Sequence, residues 1–185
     1  MKFMDLYSQN KLILEEFELE LKNIIYESDF IGGKRILKFE REFSNFLNIE
    51  NCVGVGNGTD AIEIALLSLE IPMGAEIIVP SNSFIASAEA VKNVGYEVRW
   101  VECDDTCNID PEKLKKCINN NTGAIIFVHL YGNPTNINLI SDLAIEMNIP
   151  LIEDCAQAHG ACFNDRMAGT FGDISAFSFY PGKNL

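Results

Sequence analysis

The sequence predicts an α/β protein with a mostly parallel sheet that is covered by helices on both faces. Short apolar runs alternate with helical patterns from about residue 49 onward, which is the order expected of strands joined by crossover helices. The motifs that could carry chemistry follow these runs. In such folds that position corresponds to the carboxyl ends of the strands, where ligands bind.

Two helical patterns come first. Residues 12–28 carry apolar side chains at broadly helical spacing among acidic residues, and Gly32-Gly33 interrupt the pattern. Residues 36–47 then form a second helical pattern with an acidic outer face. We therefore expect a helical segment over residues 1–48 and a ligand-binding domain over 49–185.

The ligand-binding domain is expected to contain five strands with helices between them. The apolar runs are Cys52–Val55, Glu76–Pro80, Glu97–Val101, Gly123–Val128 and Pro150–Glu153. The helical stretches cover about 59–69, 83–94, 111–119 and 138–147.

Composition excludes several classes of protein. With 48 % apolar and 22 % charged residues, the chain is neither disordered nor membrane-embedded in character. Its net charge of −13 argues against nucleic acid and anionic membranes as partners. No segment resembles a signal peptide or a membrane span, so we expect a cytoplasmic protein. The six cysteines form no C-x-x-C pair, which favours reduced thiols and no metal site.

A glycine-rich turn, Gly54-Val55-Gly56-Asn57-Gly58-Thr59-Asp60, precedes one of the expected helices. Free N–H groups at the helix start and the Thr59 hydroxyl could bind a phosphate there. The alternative is a simple turn in which Thr59 or Asp60 caps the helix.

A second motif, Ser81-Asn82-Ser83-Phe84, lies where another strand is expected to end. The Phe84 ring could stack on a planar cofactor, although a phenylalanine in this position could equally belong to the core.

The third motif places Glu153 and Asp154 at the end of a strand that we expect to be buried. A buried carboxylate needs a cationic or hydrogen-bonding partner, which a protonated pyridine nitrogen or backbone amides could supply. Gln157 and His159 follow in a loop expected to face the same crevice, whereas His129 is expected to be structural.

The fourth motif is Lys183, which follows the aromatic stretch Phe177-Ser178-Phe179-Tyr180. Such surroundings would partly desolvate the amine, lower its pKa and make it available as a nucleophile. The alternative is a solvated lysine without a chemical role.

In this order the four motifs resemble the DegT/DnrJ/EryC1/StrS family of pyridoxal-phosphate-dependent sugar aminotransferases, which have the aspartate-aminotransferase-like (type I) fold. The resemblance extends to three further segments. They are Phe30-Ile31-Gly32-Gly33 with Phe39-Glu40-Arg41-Glu42-Phe43, Val128-His129-Leu130-Tyr131-Gly132, and Gly169-Thr170-Phe171-Gly172-Asp173-Ile174.

The resemblance implies a role for each candidate residue. Lys183 would be the Schiff-base lysine and Asp154 the partner of the pyridine nitrogen. The remaining cofactor contacts would be Gln157 on the ring-hydroxyl side, Phe84 stacked on the ring, and Gly58, Thr59 and Ser178 at the phosphate. Lysine at position 183 favours transamination, because the dehydratases related to this family carry histidine there.

The implied reaction transfers an amine from an amino acid, with glutamate as the expected donor, to a nucleotide-linked keto-sugar in amino-sugar or surface-polysaccharide biosynthesis. In this family the full-length form is expected to be a homodimer. The resemblance covers only the N-terminal half of the family's plan, so the remainder of the large domain and the small C-terminal domain are expected to be absent.

Two other functions remain open from sequence. The chain could be a catalytically silent subunit that keeps the fold and binds a full-length relative. A nicotinamide-dependent oxidoreductase is disfavoured, because the glycine-rich turn departs from the G-x-G-x-x-G spacing and Glu76 opens the next strand instead of ending it.

Overall fold

The computed structural model describes residues 5–184, which divide into one compact unit ending at Gly54 and another starting at Val55. The first unit is helical, with α1 at Leu6–Asn10, α2 at Leu14–Glu27 and α3 at Gly33–Leu47. Helix α2 ends at Glu27 and is capped by Ser28, whose φ of 54° is left-handed. This conformation stops the helix and satisfies carbonyl groups of its last turn.

The second unit alternates strands and helices. Its helices are α4 at Gly58–Ser68, α5 at Ala86–Asn93, α6 at Pro111–Cys117 and α7 at Ile137–Met147. Its strands are β1 at Glu76–Pro80, β2 at Glu97–Val101, β3 at Thr122–Val128, β4 at Leu151–Asp154, β5 at Cys162–Phe163, β6 at Arg166–Met167 and β7 at Ile174–Ala176. A 3₁₀ turn at Leu130–Gly132 follows β3.

Five of these strands form one parallel sheet in the order β2-β1-β3-β4-β7. Strand β4 therefore lies between β3 and β7, and its last residue, Asp154, pairs with Val128 on one side and Ala176 on the other. Strands β5 and β6 form a separate antiparallel hairpin in the connection between β4 and β7.

Two apolar layers cover the sheet, as the sequence predicts. On one face α4 and α5 contribute Ile62, Leu66 and Val91, which pack with side chains of β1, β3 and β4. On the other face α6 and α7 contribute Leu114 and Ile140. Successive strand residues point to opposite faces, so Ile152 belongs to the first layer and Leu151 to the second.

The predicted α/β class, the helices and four of the five predicted strands are confirmed, with boundaries that differ by a few residues. The prediction of a strand at Cys52–Val55 is wrong. These residues lack regular secondary structure, and Val53 is 75 % exposed. A buried parallel strand needs cover on both faces, and this glycine-containing run does not have it. In residues 5–184 every helix is too short or too polar to span a lipid bilayer.

Candidate functional site

The second unit gathers most of the predicted site residues after the carboxyl ends of neighbouring strands. Asp154 ends β4, while Ser178 and Lys183 follow β7, the strand beside it. Phe84 follows β1 and is 68 % exposed, so it is not a core residue. Gly58 is the first residue of α4.

Asp154 is buried beneath α5. Its Oδ2 accepts a hydrogen bond from the Ser87 hydroxyl at 2.9 Å, and its Oδ1 accepts one from the Ala156 backbone N–H at 3.1 Å. Burial raises the pKa of this carboxyl, against the lowering effects of those two hydrogen bonds and of the charges on Lys183 and His129. A carboxylate can accept about four hydrogen bonds, so Asp154 retains capacity for a further donor.

Glu153 points to the opposite face of the sheet, because adjacent strand residues alternate. Its carboxylate accepts backbone N–H groups of Gly169, Phe171 and Gly172 at 2.6 to 2.8 Å, and it lies 2.7 Å from His129 Nε2. Of the two carboxylates in the motif, Glu153 is therefore the one that holds the loop before β7. Asp154 is the one directed towards α5.

His129, Glu153 and Cys155 place ligand-type atoms within 4.8 Å of one another, but their chemistry does not suit a metal ion. The oxygens of Glu153 are already engaged by three backbone amides and an imidazole. Burial also raises the pKa of the Cys155 thiol well above its ordinary value, whereas a metal ligand must be a thiolate.

Gln157 has an orientation fixed by the backbone. Its Oε1 accepts a hydrogen bond from the N–H of Tyr131 at 2.7 Å, and this donor identifies which side-chain atom is the oxygen. Tyr131 adopts a φ of 57°, a rare conformation for a bulky residue, in the turn after β3. The Gln157 amide NH₂ has no acceptor among residues 5–184, so it can donate to a ligand.

The glycine-rich turn is capped in a way that the sequence analysis missed. Asn57 Oδ1 accepts the N–H groups of both Thr59 and Asp60 at 2.9 Å, so neither of these residues is the cap and two of the expected amides are engaged. The Gly58 N–H and the Thr59 hydroxyl have no partner within the described part of the chain. They are the groups at this helix start that can still donate to a phosphate.

Gly58 also lies directly against Ser178. A Cβ at position 58 would lie 2.9 Å from the Ser178 Cβ, which is closer than real side chains approach. The start of α4 and the segment after β7 are therefore in contact. This contact brings two of the three predicted phosphate-binding residues together, and the third, Thr59, is next to Gly58.

The charge of Lys183 acts on His159. Lys183 lies in a turn in which its N–H donates to the Tyr180 carbonyl at 2.8 Å, and the residue is half-buried. Burial lowers the pKa of His159, and the charge of Lys183 lowers it further. Both His159 ring nitrogens are buried without a hydrogen-bond partner in the described residues, and the ring packs edge-on against Phe177 and Phe179. A neutral imidazole is thus left with one free donor and one free acceptor.

These observations fit the cofactor that the sequence implies. A buried carboxyl can accept a donor, an amide NH₂ is free, and Ser178 lies against Gly58 at the start of α4, next to the Thr59 hydroxyl. The aromatic Phe84 is exposed where a ring could cover it. Sequence reasoning missed Ser87, although a polar residue four positions after Ser83 in a helix rich in small residues is a detectable signal.

Comparison with known proteins identifies the family. The model of the DegT/DnrJ/EryC1/StrS aminotransferase family matches residues 11–185. The chain belongs to this family. It is 41 % identical over 178 residues to the dTDP-3-amino-3,6-dideoxy-alpha-D-galactopyranose transaminase of Aneurinibacillus thermoaerophilus, which is 96 % of this chain and 49 % of that enzyme. It is 38 % identical to the GDP-perosamine synthase of Escherichia coli O157:H7, covering 100 % of this chain and 51 % of the enzyme.

A solved structure of another family member has the same fold as this chain. The crystal structure of S. venezuelae DesV in complex with a ketimine intermediate superposes with a TM-score of 0.95 at 37 % identity, covering 100 % of this chain and 50 % of that one. The aspartate-aminotransferase-like fold is thereby confirmed. The family depends on pyridoxal phosphate. The chain spans about half the length of the relatives that it matches.

Proposed function

We propose that this chain provides the cofactor-binding part of an aminotransferase that moves an amine from an amino acid, with glutamate as the expected donor, to a keto group on a nucleotide-linked sugar. The observation that carries the proposal is the convergence of Asp154, Lys183 and the Gly58–Ser178 contact at one end of the sheet. Relatives named as dTDP-, GDP- and UDP-sugar enzymes support the substrate class but differ in the nucleotide.

Five residues of this chain would contact the cofactor besides Asp154 and Lys183. The Gly58 N–H and the hydroxyls of Thr59 and Ser178 would bind the phosphate, where the positive end of the α4 dipole adds attraction for an anion. The Gln157 NH₂ would donate to the ring oxygen, and Phe84 would stack on the ring. When bound, pyridoxal phosphate supplies an electron sink for a carbanion at the donor's α-carbon.

Asp154 and Lys183 would handle charge and protons. The carboxylate of Asp154, once ionised, stabilises a positive charge on the ring nitrogen within a site of low polarity. The Lys183 amine would attach the cofactor and, when released, take up a proton from one carbon atom as a general base and return it to another as a general acid. Neutral His159 supplies a donor and an acceptor near Lys183 without adding a second positive charge.

Borohydride reduction tests the proposal on the chain itself. The purified chain is incubated with pyridoxal phosphate, reduced, and mapped by peptide mass spectrometry. We expect about one label per chain at Lys183, and none there in Lys183→Ala. The matched control is Lys92→Ala, which removes an exposed lysine paired with Glu97 and should leave the labelling unchanged.

The outcomes separate the proposed function from the two others left open by the sequence. Labelling at Lys183 together with release of 2-oxoglutarate from glutamate supports the aminotransferase. Labelling scattered over surface lysines, with equal amounts in Lys183→Ala, would contradict it and favour a subunit without catalytic activity. A dinucleotide that quenches Trp100 when pyridoxal phosphate does not would favour the oxidoreductase.

We also propose that the full-length form is a homodimer in the cytoplasm. Support for association comes from α2, in which no residue is buried and apolar side chains such as Phe17 and Ile25 are more than half exposed. Six cysteines without disulfides support a reducing compartment. Light scattering coupled to size-exclusion chromatography measures the molar mass of the full-length form. A mass equal to that of one chain at all concentrations would contradict the dimer.

A further inference from the structure

Two serine hydroxyls connect Asp154 to the segment that carries Phe84. Ser87 is fully buried in α5, and its Oγ lies 2.9 Å from Asp154 Oδ2. Ser83 Oγ lies 2.8 Å from Ser87 Oγ, and either hydroxyl could be the donor of this hydrogen bond. Ser83 Oγ also lies 3.1 Å from the Phe84 carbonyl oxygen, which it can reach as a donor. We call Ser83 and Ser87 the hydroxyl relay.

Each hydroxyl has one proton to donate, so the relay has two consistent directions. When Asp154 is ionised, Ser87 donates to the carboxylate and Ser83 donates to Ser87. When Asp154 is protonated, the carboxyl can donate to Ser87, Ser87 donates to Ser83, and Ser83 donates to the Phe84 carbonyl. Both charge states are therefore hydrogen-bonded without movement of a side chain.

The two directions do not stabilise the two states equally. Hydrogen bonds to a charged oxygen are roughly twice as strong as bonds between neutral groups. The direction that ends on the carboxylate is therefore the stronger one. The relay favours the ionised form of a carboxyl that burial pushes towards the neutral form.

We propose that Ser87, supported by Ser83, is a positioning residue that keeps Asp154 ionised and oriented for the nitrogen of the cofactor ring. The proposal rests on the proposed function for the identity of that partner. It adds that Asp154, which would face the ring nitrogen, is joined by hydrogen bonds to the segment that carries Phe84, which would stack on the ring. The hydroxyl relay would transmit a change in the charge of Asp154 to the backbone at Phe84.

Other groups also act on this carboxyl, and the relay is expected to act in addition to them. The charges of Lys183 and His129 lower its pKa, as does the N–H of Ala156. The titratable groups on the elements packed against Asp154 are His129, Glu153, Cys155 and Lys183 and, on the covering helices, Asp60, Glu63, Glu89 and Lys92. None of these is altered by substitutions in the relay.

The test measures the titration of Asp154 directly in the cofactor-free chain. Aspartate labelled with ¹³C at the side-chain carboxyl gives a resonance whose shift follows protonation, and Asp154→Asn identifies the resonance by its loss. We expect Ser87→Ala to raise the midpoint of this titration by about one pH unit, the effect of removing a hydrogen bond to a charged group.

Two further variants complete the design. Ser83→Ala should also raise the midpoint, but by less, because it removes only the hydrogen bond that supports Ser87. It also provides a less disruptive variant in case Ser87→Ala folds poorly. Ser141→Ala is the matched control, since Ser141 is another buried serine whose hydroxyl bonds a backbone carbonyl, that of Phe171. The midpoint of the Asp154 titration in Ser141→Ala should equal that in the unaltered chain.

The results are decisive in each direction. A raised midpoint in Ser87→Ala and a smaller rise in Ser83→Ala, with none in Ser141→Ala, support the hydroxyl relay. An unchanged or lowered midpoint in both relay variants, or an equal change in Ser141→Ala, overturns it. Because no cofactor is present, this outcome is independent of the borohydride experiment, so failure of the relay and failure of the proposed function can be told apart.

Discussion

Glu153 Oε2 lies 2.7 Å from His129 Nε2, and neither side chain has any exposed surface. The same carboxylate accepts three backbone N–H groups of the loop before β7. This loop leads into the strand that precedes Ser178 and Lys183. The geometry of the candidate site therefore depends on a residue that points away from it.

Replacement of Glu153 by glutamine should destabilise the chain by about 3 kcal/mol, because an amide cannot accept all four donors and leaves buried groups unpaired. The measurement is urea unfolding followed by circular dichroism. Glu97→Gln is the control. It removes an exposed carboxylate paired with Lys92 and should cost less than about 1 kcal/mol. Equal losses in the two variants would contradict the role assigned to Glu153.

The charge of Asp154 should make stability depend on pH. Burial raises its pKa above the ordinary value of 3.8, so the folded chain binds this proton more tightly than the unfolded chain does. The stabilising contribution is complete below that ordinary value and is lost as the pH rises through the raised pKa. Asp154→Asn does not titrate, and its stability relative to the unaltered chain should rise over this window. Urea unfolding at several pH values tests this, and a difference that stays constant with pH would refute it.

A methyl group at Gly58 should interfere with phosphate binding. Because its Cβ would meet Ser178, Gly58→Ala must push apart the start of α4 and the segment after β7. We expect the Kd for pyridoxal phosphate to rise by about tenfold or more. Gly54→Ala is the control, since a Cβ there would be 3.4 Å or more from its neighbours. A Kd raised equally by both alanines would argue against a specific phosphate site.

Gln157→Glu separates the two functions of this side chain. A carboxylate still accepts the N–H of Tyr131, so the turn should keep its conformation and the unfolding midpoint should change little. The proposed donor to the cofactor's ring oxygen is lost, and the Kd for pyridoxal phosphate should rise by about tenfold. Spectrophotometric titration gives the Kd. A large loss of stability with unchanged cofactor affinity would show that the side chain is purely structural.

The sequence predicts the layered α/β arrangement well because buried parallel strands and their covering helices have different apolar periods. Glu76–Pro80 and Glu97–Val101 were expected as strands and are observed with those bounds. The run Cys52–Val55 has a similar local composition but no strand conformation. Strand formation depends on cover and pairing from distant residues, which a local apolar pattern does not reveal.

The site was predictable in its residue types but not in its internal hydrogen bonds. Alternation along β4 separates the directions of Glu153 and Asp154, yet the amides that Glu153 binds lie 16 to 19 residues further along the chain. Asn57 was overlooked as the α4 cap because Thr59 and Asp60 are equally acceptable cap types. Ser87 and Asp154 are 67 positions apart in the sequence, and their hydrogen bond arises only because the fold brings them together.

The β5–β6 hairpin offers a place for an engineered label. Asn164 and Asp165 form its tip with φ values of 49° and 62°, as expected of a tight two-residue reversal. The loop that follows is held in place by its own hydrogen bonds to Glu153. A peptide inserted at the tip should therefore leave the position of β7 unchanged. A fluorophore or affinity handle inserted there would lie in the connection between Asp154 and Lys183, yet outside the proposed cofactor contacts.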